Sequence, residues 1–407
     1  MTISRRGLIG TAATLPIIGR ARAQAGKAIK VGVLTDLSGP YADLGGPLAV
    51  KAAQLALEDF GVAGKGWTVE VIAADHQNKP DVGAGIARQW FDQAGVDVIV
   101  EVANSAVALA VAGVAKEKNK VYCNSGAASS DLTGLACNAN TIHWAYDTYM
   151  LAKSTGGALV KAGGDSWFFI TADYTFGVAL QRDVTEFINA AGGKVVGSAK
   201  YPFPGTTDFS SLLLQAQSSG AKILGIANAG TDTINTIKQA QEFGVNGKMK
   251  LAGLLLFISD VHSLGLDVAQ GIILTDSFYW DHSDRTRAFS DRLKSKEPAR
   301  RPTMVQAGVY SSVLHYLKTA ADMGTDKIKL DGAATVVRMK AIPTDDDAFG
   351  PGTIRQDGRK LHPAFLWEVK KPADSKGPWD YYKLVNETPA DQAFRPLDKG
   401  GCSLVKA

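Results

Sequence analysis

The chain has 407 residues, 45% hydrophobic and 21% charged, a composition typical of a folded protein and a length beyond one core, so two lobes are expected. Four arginines (Arg5, Arg6, Arg20, Arg22) and no acid fall in residues 1–25, so removing that stretch takes the formal charge from +4 to 0. A neutral remainder excludes the basic surface that a nucleic-acid partner requires.

In chain order, Ser4-Arg5-Arg6-Gly7 opens a basic patch, residues 8–18 are mostly apolar, and Ala21-Arg22-Ala23 or Ala23-Gln24-Ala25 offers small residues for cleavage. The paired arginines resemble a twin-arginine export signal, which implies a bacterial protein delivered to the periplasm with residues 1–25 removed. The apolar run is too short to span a bilayer, and no later run is longer.

Residues 29–34 form an apolar run of strand length, and Pro47 opens a helical pattern over 48–60 with Leu48, Ala52, Leu55 and Ala56 on one face. Between them, the turn from Ser38 through Gly39, Pro40 and Tyr41 to Gly45 and Gly46 separates a strand end from a helix start. That arrangement aims backbone N–H groups at an anion, making the turn the first candidate ligand wall. It lacks the spacing of a dinucleotide fingerprint, and Pro40 stands where an N–H would have to donate. Turn geometry alone is the competing account of its glycines.

The alternation then repeats. Residues 67–73, 96–100 and 120–124 read as strands, with helices over 80–94 and 105–118 between them. Strands alternating with helices predict βαβ units in a mostly parallel sheet, with sites just past the strands' C-terminal ends. Two such ends carry small polar residues, Asn104 and Ser105 at one and Ser125, Gly126 and Ala128 at the other. Helix capping accounts for each alone; three small-polar junctions in one lobe point further.

A helix over 148–162 leads into a second series, with strands at 166–171, 195–197, 223–227 and 271–275. Its junctions carry Asp173, Tyr174 and Phe176, then Asn228 and Asp232. The tail is helical over 285–295 and 304–323, where Gln306 and Tyr310 share a face. Asp357-Gly358 marks a hairpin turn. Of three cysteines, Cys123 lies in an apolar strand and reads as a packed thiol. In an exported chain the expected pair is Cys137 with Cys402, although spacing alone does not assign connectivity.

No nucleophile elbow, zinc helix or P-loop is present, and the six histidines lack metal-ligand spacing, so an enzyme, a metal and a cofactor are not expected. A dispersed hydrolase site stays open as an alternative.

Read together, Val33 through Tyr41, Asn124 through Ser129, Asp173 through Gly177, Tyr201-Pro202 with Thr207 through Ser210, and Val309-Tyr310-Ser311 resemble the type I periplasmic solute-binding proteins of branched-chain amino acid ABC importers. The resemblance spans nearly the whole chain beyond the signal. It implies an α/β fold of two Rossmann-like lobes with mostly parallel sheets and a three-segment hinge at 144–149, 277–282 and 342–349. Lobe 1 would comprise 26–145 and 280–343, and lobe 2 would comprise 146–279 and 344–407. The implied ligand residues are Tyr41, Asn104, Ser105, Ser125, Gly126 and Ala128 in lobe 1, Tyr174, Phe176, Asn228 and the stretch 254–257 in lobe 2, and Tyr310. The implied partners are a small solute and an inner-membrane permease, for a monomer; a ligand sensor of the same fold is the alternative. One departure stands out: where amino-acid binders of this type place an acid for the ammonium, this chain reads Leu254-Leu255-Leu256-Phe257. An ammonium buried there without a partner would cost several kcal/mol; Asp173 or Asp232 could substitute as the acid, with helix capping the favoured role of Asp232, so a carboxylate or amide head on an apolar body is expected.

Overall fold

Val31, Val33, Val98 and Val100 are fully buried, and their strands lie side by side at the heart of a parallel sheet. Strands covered on both faces in this way read as unbroken apolar runs. The computed structural model describes residues 28–406; the export signal expected over residues 1–25 lies outside them.

In the first lobe, β1 (Ala28–Thr35), β2 (Thr68–Asp75), β3 (Val98–Glu101), β4 (Val121–Asn124) and β5 (Thr141–His143) pair in the order β2-β1-β3-β4-β5. Every pairing is parallel. The crossovers are helices α1 (Gly46–Phe60), α2 (Pro80–Gln89) and α3 (Ser105–Glu117). Pro47 opens α1 and left-handed Gly61 ends it. Asn104 starts α3 by accepting from the N–H groups of Ala106 and Val107.

The second lobe begins with α4 (Thr148–Lys161). Its parallel strands are β6 (Ser166–Ala172), β7 (Lys194–Tyr201), β8 (Ile223–Ala227), β9 (Lys250–Gly253) and β10 (Ile273–Asp276), interleaved with α5 (Thr175–Ala190), α6 (Ser210–Ser218), α7 (Thr231–Glu242), α8 (Ile258–Leu264) and α9 (Leu266–Ala269). The chain then returns to the first lobe as α10 (Asp284–Lys294), α11 (Met304–Met323), α12 (Thr325–Leu330) and α13 (Gly332–Ala341). α11 packs along α1 and is buried for most of its length, with Thr303 and Gln306 as a reciprocal cap.

A short hairpin, β11 (Thr353–Ile354) and β12 (Lys360–Leu361), precedes β13 (Ala364–Val369), β14 (Tyr382–Thr388) and α14 (Ala390–Ala393). β13 and β14 complete the second sheet antiparallel at its edge, in the order β14-β13-β10-β9-β8-β6-β7.

Two passages between the sheets lie after β5 and after β10. The third lies between β12 and β13, not at 342–349. Asp346 Oδ2 accepts from Ser311 Oγ of α11 at 2.6 Å, and His143 N–H donates to Gly358 O at 2.9 Å, so the loop and hairpin stay on the first lobe. Assignment of 344–407 to the second lobe therefore fits β13 and β14 but not the hairpin before them or the tail after them. The tail returns too: Arg395 donates to Ser130 O, and Cys402 is joined to Cys137 by a disulfide. Cys123 is free and buried.

The disulfide closes a separation of 265 residues. Replacing both cysteines with alanine should lower stability by about 2–4 kcal/mol, read as a shifted urea midpoint of the oxidised protein. An unchanged midpoint would show that packing alone holds the tail.

Candidate functional site

The turn after β1 does not cradle an anion. Asp36 accepts from the N–H groups of Ser38 (3.2 Å), Gly39 (2.6 Å) and Tyr41 (2.9 Å) and from Asn78 Nδ2 (2.7 Å). Gly46 N–H goes to Thr35 Oγ1 at 2.9 Å. These donors are satisfied within the lobe, and what the turn presents across the cleft is the ring of Tyr41.

That ring meets the second lobe. Tyr41 and Tyr174 hydroxyls lie 2.5 Å apart. Both rings stack on Phe203, at centroid distances of 5.4 and 4.4 Å. Beside them, Thr231 N–H at the start of α7 donates to Pro40 O at 3.1 Å. Gly230 makes this approach possible: its φ is +61°, and a Cβ there would lie 2.2 Å from Pro40 O.

Behind these contacts is a narrow interlobe compartment, nearly filled by its own side chains, with a cavity volume of about 10 Å³. Tyr41, Leu44, Ala103 and Ala128 line it from the first lobe, Tyr146 from the first passage, and Tyr174, Phe176, Ala229 and Leu255 from the second lobe. Its lining residues are apolar or aromatic, and three of them are tyrosines. Burial drives the phenols of Tyr41, Tyr146 and Tyr174 far above their usual range, so all three stay neutral. Neutral hydroxyls among apolar walls suit an oxygen-bearing head on an apolar body.

Of the expected site residues, the structure brings Tyr41, Ala128, Tyr174 and Phe176 to this compartment. Asn104 caps α3, and Ser105 Oγ accepts from Ser129 N–H at 3.2 Å. Ser125 packs against Gly308 of α11, and Gly126 O accepts from the Tyr146 hydroxyl. Asn228 ties the β8–α7 turn through Thr233 (2.7 Å) and Thr236 (3.1 Å).

Tyr310 lies elsewhere. Its hydroxyl donates to Asp59 Oδ2 at 2.8 Å, and its ring sits 4.6 Å from Phe289, in an open groove on the outer face of lobe 1. It does share a helix face with Gln306, but that face looks toward α1 and α10. Ser125 and Tyr310 thus do not join Tyr41 and Phe176 in one cavity.

The stretch 254–257 contributes Leu255 to the wall and no charge. Asp260, three residues on, is buried and pushed up to about 7 by desolvation, and it accepts from Phe257 N–H at 2.9 Å as part of the α8 cap. Asp232 does not cap with its side chain; it takes the Tyr201 hydroxyl at 2.7 Å. Tyr146 and Phe203 escaped sequence reading. Both are aromatics just past strand ends, the position that selected Tyr174.

Two α/β lobes joined by three passages and closing on an apolar compartment are the architecture of a type I periplasmic binding protein. The sequence agrees: residues 28–377 match the family model for periplasmic binding proteins. A periplasmic binding protein from Burkholderia mallei is 48% identical with a TM-score of 0.89, covering 93% of this chain and 100% of that one. A branched-chain amino acid ABC transporter periplasmic ligand-binding protein from Burkholderia xenovorans LB400 is 40% identical with a TM-score of 0.80, covering 92% and 99%. A solute-binding protein from R. palustris, solved in complex with benzoate, shares the fold at 20% identity and a TM-score of 0.81, covering 92% and 99%. The chain belongs to the periplasmic binding protein family, on its branched-chain amino acid ABC transporter side.

Proposed function

We propose that this protein captures a small solute with a carboxylate or amide head and an apolar body, a single ring or a branched chain, and delivers it to an inner-membrane ABC permease. The observation that carries the reading is the Tyr41–Tyr174 hydroxyl pair across the cleft. One hydrogen bond joins the two hydroxyls while the lobes meet, and a solute oxygen entering between them would accept from both. The remaining walls, Leu44, Ala103, Phe176 and Leu255, would enclose its body.

The benzoate-bound fold-mate from R. palustris is consistent with this choice, although at 20% identity it speaks for the fold alone. Lobe closure at the hinge supplies capture, as in other hinge-bending binding proteins. The twin-arginine sequence supports export to the periplasm, and the protein works as a monomer without a cofactor.

A thermal-shift screen of aromatic acids, aliphatic acids, amides and amino acids tests this, because a ligand that binds only the folded form raises its melting temperature. Aromatic or branched aliphatic acids should give the largest shifts. Shifts confined to leucine-like amino acids would overturn the choice of head group. For the acid with the largest shift, Tyr174→Phe should weaken binding by about 1.5–3 kcal/mol, the usual range for a hydrogen bond to a charged group.

A further inference from the structure

The end of β3 is strained. Glu101 and Val102 have φ of 79° and 63°, a left-handed backbone in which a β-branched valine is an outlier. Such strain persists where the surroundings over-determine it, and it gathers at functional sites.

The strained pair turns Glu101 inward. The residue is fully buried; Oε2 accepts from Val102 N–H at 2.8 Å, and Oε1 has no hydrogen-bond partner. Two glycines make room for it: a Cβ on Gly45 would lie 2.6 Å from Oε1, and one on Gly126 2.5 Å. Gly45 adjoins Leu44, Gly126 precedes Ala128 by two residues, and Ala103 follows Glu101 by two. Oε1 therefore lies behind three walls of the interlobe compartment. Tyr146, a fourth wall, bonds to the Gly126 carbonyl.

We propose that Glu101 is a specificity-determining residue of the interlobe site: it keeps its proton behind the compartment, leaves that wall uncharged, and so favours an anionic solute over one whose ammonium needs a carboxylate. This rests on the carboxylate reading above. The titratable groups facing Glu101 are Asp36 past β1, Tyr122 on β4 and Tyr146 on the first passage, and none of them is a cation.

Burial outweighs the opposing hydrogen bonds from Thr35 and the Val102 amide and, with a smaller contribution from Asp36, pushes the Glu101 carboxyl up to about 8. A solute carboxylate nearby raises it further, so binding takes up a proton wherever Glu101 is ionised. Affinity for an anion then falls as pH rises past that value, whereas an ammonium ligand would show the opposite sign.

The experiment is calorimetric titration of benzoate and of leucine from about pH 6 to about pH 10, spanning Glu101's ionisation, together with infrared spectra of the solute-free protein. Benzoate affinity should be level at the acid end and fall up to about tenfold per pH unit above pH 8. In E101Q it should no longer follow pH, and the carbonyl band of a protonated carboxyl present in the native protein at neutral pH should be diminished. Benzoate affinity that stays level to the alkaline end, leucine binding as tight as that of benzoate at the acid end, or an unchanged carbonyl band in E101Q would overturn the proposal. Loss of the band's assignment with benzoate binding intact removes this inference alone. Failure of benzoate and every other acid to bind, with the band assigned, removes the carboxylate reading and this inference with it.

Discussion

Gly230→Ala is expected to weaken solute binding on the order of 100-fold while the protein still folds. Gly230 holds φ +61° and ψ −134° at the start of α7, against Pro40 of the other lobe. A Cβ would sit 2.2 Å from Pro40 O and 3.1 Å from the Tyr41 ring. With the lobes apart, the alanine can relax to another conformation. With them together, it must accept strain of about 1–3 kcal/mol and lose the Thr231–Pro40 hydrogen bond, about 1 kcal/mol more. Because apparent affinity scales with the fraction able to close, the penalty falls on binding. Gly244→Ala is the comparison: Gly244 has φ +63° and nothing within 4 Å of its Cβ position, so it should lose a little stability and keep its affinity. Calorimetry reads affinity, and small-angle scattering reads closure. Native affinity in Gly230→Ala would mean that the Pro40 contact does not gate closure.

Arg359→Met should cost about 3 kcal/mol of stability, more than an ordinary surface change. Arg359 is fully buried beside the hinge. Its Nη1 donates to Tyr146 O at 3.2 Å and to Asp147 Oδ2 at 3.5 Å, its Nε donates to Lys360 O at 3.0 Å, and its guanidinium lies 4.4 Å from the Phe394 ring. One side chain thereby ties the first passage to the segment leading into the third. Burial raises the Asp147 carboxyl, and the neighbouring Arg359 opposes that shift. Without the arginine, a buried carboxyl that also caps α4 through Met150 N–H at 2.8 Å loses its cation. Asp147→Asn should destabilise as well, and the double variant should cost less than the two single changes together, since each single change strands the partner. Strictly additive costs, measured by urea unfolding, would show that the pair is not coupled.

How far the site could be read beforehand depends on the kind of residue. Tyr41, Tyr174 and Phe176 stand just past strand ends, where a parallel sheet always directs its loops toward the cleft, so their position was legible. Tyr310 sits on a helix, and which way a helix face looks depends on packing with α1 and α10, which spacing along the chain does not encode. Asn104 and Asn228 show the limit of residue type as a clue. Polar residues at such junctions serve the backbone or a ligand equally well, and here each is occupied within its own lobe.

The alternation of apolar strands with capped helices determined the lobes and their parallel sheets, because each element satisfies its backbone and shows its buried face within a few residues. The apolar strand around Cys123 made Cys137 and Cys402 the expected pair, and the structure supplied the connectivity that spacing leaves open. Only the tertiary structure decided that Asp36 consumes the amides of the first turn, that the hairpin at 353–361 stays with the first lobe, and that Glu101 is buried with a bare oxygen behind the compartment. Those outcomes depend on which distant atoms reach a donor, a glycine or a carboxyl first, and such contacts link residues far apart in the chain.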